Sequence, residues 1–74
     1  MKLSIFVKTS SGDFHLSDDE LPGFDVKHSA RFDAKQFNTI EKARDAAFEY
    51  IGDDHHVIYI WDLVDDCEIQ RVFL

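Results

Sequence analysis

The fold of this chain is decided by residues 38–61, which read NTIEKARDAAFEYIGDDHHVIYIW. Asn38 or Thr39 can cap the start of a helix, and Gly52 is well placed to end it in a left-handed conformation. Between them an apolar stripe recurs at helical spacing, formed by Ile40, Ala43, Ala47, Phe48 and Ile51. The run Val57–Trp61 is β-branched and aromatic, which is typical of a central strand. The sequence therefore predicts a helix followed by a strand.

Further strands are predicted on both sides of this unit. Asp65-Asp66 is a reasonable two-residue hairpin turn, after which the stretch from Cys67 to Leu74 returns antiparallel. Towards the start of the chain, Lys2 to Lys8 alternates apolar and polar side chains. The stretch from Phe24 to Asp33 shows the same period-2 pattern, which indicates a strand with one buried and one wet face.

Two short features complete the expected architecture. Residues 14–16 can add a short strand, and the capping-box pattern of residues 17–20 predicts one helical turn. The whole chain, residues 1–74, is then a single α+β domain. Its predicted fold is a four-stranded antiparallel sheet with one α-helix packed on one face, in the order β-β-α-β-β.

One helix cannot cover both faces of such a sheet. In the register assumed for the last hairpin, Ile58 pairs with Phe73 on the face that meets the helix. The opposite face then carries three predicted interface residues, Tyr59, Trp61 and Val72. This second face is expected either to expose an apolar patch or to pack on another chain, for example as a homodimer.

The composition excludes several classes of function. Fifteen acidic residues against eight basic ones give a net charge of -7, which argues against direct binding of nucleic acid or anionic lipid. No apolar run approaches the roughly 20 residues of a membrane span. Cys67 is the only cysteine, so an intramolecular disulfide and a cysteine-based zinc cage are excluded. The expected localisation is cytoplasmic.

The acidic residues are unevenly distributed along the chain. Residues 53–74 hold six acidic residues and only one basic residue, Arg71. The predicted helix adds carboxylates spaced four residues apart, and like charges at this spacing destabilise a helix by a few tenths of a kcal/mol per pair. Such a row is either a solvated face that aids solubility or a ridge that can dock into a basic groove. The predicted partner-binding residues are Glu41, Asp45, Glu49, Asp53, Asp54, Asp62, Asp65, Asp66 and Glu68.

Catalysis and metal binding find little support in the sequence. His55 and His56 are adjacent at the start of a strand and point to opposite faces, so they cannot easily chelate one ion. His28 is expected to be a core or interface histidine with satisfied ring nitrogens. The acidic neighbours of Cys67 raise its thiol pKa and make it a poor nucleophile. No catalytic residue, metal ligand or cofactor is predicted.

Two resemblances add to this interpretation. The stretch from Phe32 to Asp62, with its short Ala-rich helix, resembles many small phage-encoded proteins, including the small RNA-polymerase inhibitors of tailed phages. That resemblance implies one helix and a small antiparallel sheet. Leu21-Pro22-Gly23 and Thr39-Ile40-Glu41-Lys42-Ala43 resemble in part the Leu-Pro-Gly step and the Thr-x-Glu-Glu-Ala helix start of HicB-type antitoxins. Neither resemblance assigns a site residue.

The sequence therefore predicts a small acidic protein, not an enzyme, that binds a basic nucleic-acid-handling enzyme of a host or defence system. Inhibition would be steric and electrostatic, with the carboxylates standing in for nucleic acid in a Lys/Arg-lined groove. If the protein is phage-encoded, this takes place in the host cytoplasm. Two alternatives remain open: a HicB-like antitoxin that neutralises a small basic toxin, and a structural homodimer sealed through the Tyr59/Trp61 face or a sheet edge.

Overall fold

The computed structural model describes all 74 residues and contains one antiparallel sheet, one α-helix and one 3-10 segment. In chain order the elements are β1 (Leu3–Thr9), β2 (Gly12–Leu16), β3 (Phe24–Lys27), the 3-10 segment (His28–Asp33), α1 (Ile40–Tyr50), β4 (Val57–Asp62) and β5 (Cys67–Phe73). The strands lie in the order β3-β2-β1-β4-β5. The predicted α+β class is confirmed, but the sheet has five strands rather than four. No helix has the length and apolarity needed to cross a bilayer.

The additional strand is β2, which forms because the chain reverses after β1 through a two-residue turn at Ser10 and Ser11. Thr9 pairs with Gly12 across this turn. The Thr9 hydroxyl donates a hydrogen bond to the Gly12 carbonyl oxygen at 2.8 Å and accepts one from the Ser11 N–H at 3.2 Å. Gly12 has a φ of +137°, a conformation that side chains strongly disfavour. This turn places β2 between β1 and β3.

The apolar core lies between α1 and one face of the sheet. Its ten buried residues are Leu3, Ile5, Val7, Leu16, Phe37, Ala43, Ala47, Ile58, Ile60 and Val72. The helix contributes only Ala43 and Ala47, whose small side chains let its backbone approach the sheet closely. The predicted stripe residue Phe48 is 57 % exposed. The helix instead packs Ala46 and Tyr50 partly against the core, so its buried face is rotated away from Phe48.

Both ends of the helix were expected to be capped, and the structure confirms one cap. The Thr39 hydroxyl accepts a hydrogen bond from the Lys42 N–H at 3.2 Å. The predicted left-handed ending at Gly52 is wrong, since Ile51 ends the helix in an extended conformation with a ψ of 136°. Gly52 instead exchanges two backbone hydrogen bonds with His55 in the loop that follows.

Replacement of Thr39 by alanine tests this cap. We expect Thr39→Ala to lower the free energy of unfolding by about 1 kcal/mol, because the Lys42 N–H loses its acceptor. Urea denaturation followed by circular dichroism measures the change. Asn38→Ala is the matched control, since Asn38 is the exposed neighbour that does not cap the helix. A larger effect at Asn38 than at Thr39 would show that the cap is wrongly assigned.

The predicted strand from Phe24 to Asp33 is wrong beyond Lys27, where the 3-10 segment begins. The cause is the shortness of β2: Phe14 pairs with Lys27, and β2 starts at Gly12, so a longer β3 would soon run past its only neighbour. The helical turn predicted for residues 17–20 is also absent. Ser17 instead closes a loop with Gly23, accepting a side-chain hydrogen bond from its N–H at 3.1 Å.

The last hairpin differs from its predicted form in both turn and register. Four residues, 63–66, connect β4 to β5, and the buried Leu63 holds the start of this connection in the core. Ile58 therefore pairs with Val72, not Phe73, and a register shift follows between Ile60 and Trp61. Val72 is consequently only 4 % exposed and lies in the helix-facing core, so its prediction as an interface residue is wrong.

Candidate functional site

Five of the predicted partner-binding carboxylates lie on α1 or in the loop after it. We call them the helix acids: Glu41, Asp45, Glu49, Asp53 and Asp54. All five are exposed. The carboxylates that form ion pairs in this structure belong to Asp18, Asp66 and Glu68, so none is a helix acid. The helix acids therefore present negative charge that no cation of the chain neutralises at close range.

The four predicted residues of the terminal hairpin have different surroundings. Asp62 accepts hydrogen bonds from the N–H groups of Val64 and Asp65 at 2.9 and 3.0 Å, which shapes the turn. Glu68 binds the Arg71 guanidinium at 2.7 Å, and this hydrogen bond raises the pKa of Arg71. Asp66 is also occupied, as described below. The carboxylates of Asp62, Asp66 and Glu68 thus stabilise the hairpin itself, whereas Asp65 is exposed and only its N–H takes part in these contacts.

The structure does not bring the nine predicted carboxylates to one surface. The helix covers the sheet face that contains Ile5 and Ile60. Asp66 instead contacts Trp61, which follows Ile60 on β4 and therefore points to the opposite face of the sheet. On that face the Trp61 ring packs on Phe6. The sheet thus separates the helix acids from Asp66. The helix acids are the larger group of the nine that follows one stretch of chain and makes no ion pair.

The face opposite the helix carries the two other predicted interface residues, Tyr59 and Trp61. Both pack on the buried Phe6 ring, with centroid separations of 5.4 and 4.8 Å. The cationic groups of Lys8 and Arg71 lie over the Tyr59 ring at 4.7 and 5.1 Å. Both aromatic residues are half-buried. This face is therefore partly covered by side chains of the same chain.

The same face contains a hydrogen-bonded chain of four side chains that runs from the interior to the surface. The buried Ser4 hydroxyl lies 2.7 Å from His15 Nδ1, and His15 Nε2 lies 2.9 Å from His28 Nδ1. His28 Nε2 in turn lies 3.1 Å from Asp66 Oδ1. The prediction that His28 has satisfied ring nitrogens is confirmed. The partnership of Ser4, His15 and Asp66 was not predicted.

Burial and neighbouring charges determine the protonation states of His15 and Asp66 in this series of hydrogen-bonded side chains. Burial, followed by the charges of His28 and Arg31, lowers the pKa of His15 from 6.5 to about 4. The hydrogen bond from Trp61 Nε1, with further help from Arg31 and His28, lowers the pKa of Asp66. At neutral pH the chain therefore holds a neutral His15 at its buried end and an ionised Asp66 at its exposed end.

Cys67 and the two histidines before β4, His55 and His56, are the other reactive side chains. Partial desolvation, together with the carboxylates of Asp62, Asp65 and Asp66, raises the pKa of the Cys67 thiol, in line with the sequence prediction. No group of three or more His, Cys, Asp or Glu side chains is arranged to hold a metal ion. A cleft of about 380 Å³ lies between β1 and the loop that precedes β4. Asp53, Asp54, His55 and His56 line it, with Lys8 opposite.

The sequence contained one signal for the buried histidine. His15 lies between Phe14 and Leu16 in a short apolar run, where a solvated histidine is not expected. Nothing in the spacing of residues 4, 15, 28 and 66 shows that they meet, because contacts at these separations depend on the strand register.

The chain was also compared with known proteins. No protein-family model, curated protein or solved structure matches it, so its function is inferred from its own residues and geometry.

Proposed function

We propose that this chain is a small acidic binding protein that inhibits a basic, nucleic-acid-handling enzyme by standing in for nucleic acid. It acts without chemistry of its own. The observation that supports the proposal is the exposure of the helix acids without any Lys or Arg partner. Their carboxylates repeat along α1 at about 6 Å, comparable with the separation of successive phosphates along a nucleic-acid strand.

The helix acids do not stabilise the helix that carries them. Glu41, Asp45 and Glu49 repel one another at a spacing of four residues, and Asp53 follows the negative end of the helix dipole. The Thr39 cap and the packing of Ala43 and Ala47 hold the helix in place despite this repulsion. Because the helix acids do not stabilise α1, their presence is better explained by a partner that binds them.

The proposed mechanism is occupation of a Lys/Arg-lined groove. The rigid sheet holds α1 from behind, so the helix acids meet the groove as a preformed surface and lose little conformational freedom on binding. Their field also steers the encounter and raises the association rate. The hairpin carboxylates add to the net charge, but the internal contacts of Asp62, Asp66 and Glu68 keep them from forming the principal surface.

A capture experiment tests this surface. The immobilised protein is exposed to a bacterial lysate at low salt and again at about 1 M salt, where the screening length falls to about 3 Å. We expect a basic protein to be retained at low salt, released at high salt and displaced by double-stranded DNA. Asp45→Lys combined with Glu49→Lys should weaken its binding by at least about 100-fold, because opposing like charges costs several kcal/mol.

The control carries the same change in net charge at a different place. Asp25→Lys combined with Asp33→Lys alters two exposed residues outside α1 and should leave binding close to that of the unchanged protein. Equal loss of binding in both double variants would show that only net charge matters, and would contradict the proposal that the helix acids form the binding surface. Capture of a small basic protein that DNA does not displace would instead favour the antitoxin alternative.

A further inference from the structure

The 3-10 segment covers the aromatic face of the sheet without burying any of its own residues. Beneath it lie Phe6, His15 and Trp61; His15 stacks on Phe6 at a centroid separation of 4.8 Å, and His28 stacks on His15 at 5.2 Å. Apolar packing normally holds a covering segment in place. Here the segment is attached mainly through the polar groups of His28 and Arg31.

Both of these groups reach one oxygen of Asp66. His28 Nε2 lies 3.1 Å and Arg31 Nε 3.5 Å from Asp66 Oδ1, and Trp61 Nε1 donates to the same atom at 3.0 Å. Arg31 Nε is buried and makes no hydrogen bond, so its contact with Asp66 is an ion pair only. Asp66 itself has a φ of +54°, a region that Asp and Asn tolerate better than most residues. A single carboxylate thus connects the 3-10 segment to the β4–β5 turn.

The hydrogen bonds of His15 and His28 can accommodate one proton added to the pair of neutral rings, but not two. With both rings neutral, each donates from Nε2, so that His15 Nδ1 accepts from Ser4 and His28 Nδ1 accepts from His15. A proton added to His15 is matched at both contacts, where Ser4 Oγ and His28 Nδ1 can accept, so the burial of His15 is what opposes it. A second would set two N–H groups against each other at the 2.9 Å contact.

No nearby group favours a charge on His15 strongly enough to offset its burial. His28 and Arg31 of the 3-10 segment oppose a charge on His15. Asp66 of the β4–β5 turn and Asp13 of β2 favour it only in part. Ser4 and Phe6, its neighbours on β1, and Val26, its partner on β3, are uncharged.

We propose that the 3-10 segment is an acid-released strap, which separates from Asp66 when His15 gains a proton and thereby uncovers Phe6, His15 and Trp61. The sheet and α1 stay together during this opening, because the ten residues of the core on the other face are all apolar and take up no proton. The device is independent of the helix acids.

The linkage between proton uptake by His15 and opening of the strap sets the size of the pH dependence. His15 titrates near pH 4 while the strap is closed and near 6.5 once it is hydrated. The opening equilibrium constant should therefore rise about tenfold for each pH unit between these values, to a total of several hundred-fold. The rise should end near pH 4, where the closed form also accepts the proton.

Amide hydrogen exchange measures this opening even when the open form is rare. The Ala34 N–H, bonded to the Arg31 carbonyl oxygen at 3.1 Å, reports on the end of the strap, since so short a 3-10 helix does not persist alone. We expect its protection factor to fall about tenfold per pH unit between about pH 6.5 and 4, and to stay well below the protection factors of the β1 and β4 amides at each pH. Constant protection of Ala34, or protection of Ala34 equal to that of the β1 and β4 amides across this range, would overturn the proposal.

Two variants separate the proton site from the attachment point. His15→Phe can still stack on Phe6 but accepts no proton, so the pH dependence of Ala34 protection should disappear. Asp66→Asn keeps the backbone preference and a carbonyl acceptor for Trp61 but removes the charge, and should reduce Ala34 protection at neutral pH by about tenfold or more. Asp65→Asn, at the exposed neighbouring position, should have no effect. Equal effects of Asp65→Asn and Asp66→Asn would also overturn the proposal.

Discussion

Ile60→Ala will lower the free energy of unfolding by about 3 to 4 kcal/mol. Ile60 is fully buried in β4, opposite Ile5 of β1 and within the core that α1 covers. Its removal leaves a cavity that the paired strands on either side cannot collapse to fill. A 74-residue domain has a total stability of only about 4 to 11 kcal/mol, so a large part of the variant should be unfolded near 37 °C.

Urea denaturation followed by circular dichroism gives the size of this loss. Ile69→Ala is the control, because Ile69 is 40 % exposed at the register shift of β5 and lies outside the core. The control should differ from the unchanged protein by roughly 0.5 kcal/mol or less. Equal unfolding midpoints for Ile60→Ala and Ile69→Ala would contradict the placement of β4 at the centre of the core.

Acidification from about pH 7.5 to about pH 4.5 will remove about 2.5 kcal/mol of stability through His15 alone. The unfolded chain binds a proton at this residue near pH 6.5, whereas the folded chain binds it only near pH 4. As the pH falls between these values, the proton is taken up by the unfolded state and favours it. The contribution is thus fully present above pH 6.5 and is lost progressively towards pH 4.

Urea midpoints measured across this range reveal the slope. His15→Phe should flatten it, even if the variant is less stable at neutral pH through the loss of the Ser4 and His28 contacts. His56→Ala, which removes an exposed histidine from the loop before β4, should leave the slope as it is. The lowered pKa of Asp66 acts below the ordinary range of a carboxyl group and so falls outside this window. An unchanged slope in His15→Phe would show that His15 is hydrated in the folded protein.

Local sequence patterns were sufficient for the elements whose side chains respond to their own neighbours. The Thr39 cap, the burial of Ala43 and Ala47 and the strand from Val57 all follow from residues within one or two turns or pleats. Phe48 fits the same stripe but is exposed, since the direction in which the helix packs depends on the sheet. Propensity can therefore place α1 in the sequence but cannot fix which side of it is buried.

The remaining errors concern contacts between distant segments. A slip of one residue moves every side chain of a strand to the other face, which is why Val72 was assigned to the wrong one. The end of β3 at Lys27 depends on where β2 begins, and not on the alternation of β3 itself. The helix acids could be identified from their spacing, whereas the contacts of Asp66 with His28 and Arg31 depend on the turn that only the folded hairpin creates.

The convergence of three donors on one oxygen of Asp66 has an evolutionary consequence. Trp61, His28 and Arg31 each derive a polar contact from the same atom, so their mutational effects are not independent. Once Asp66 is lost, a change at any of the three removes little more, and each position becomes free to drift. In related chains these four residues should thus be kept or exchanged as a set, with the loss of the acidic member coming first.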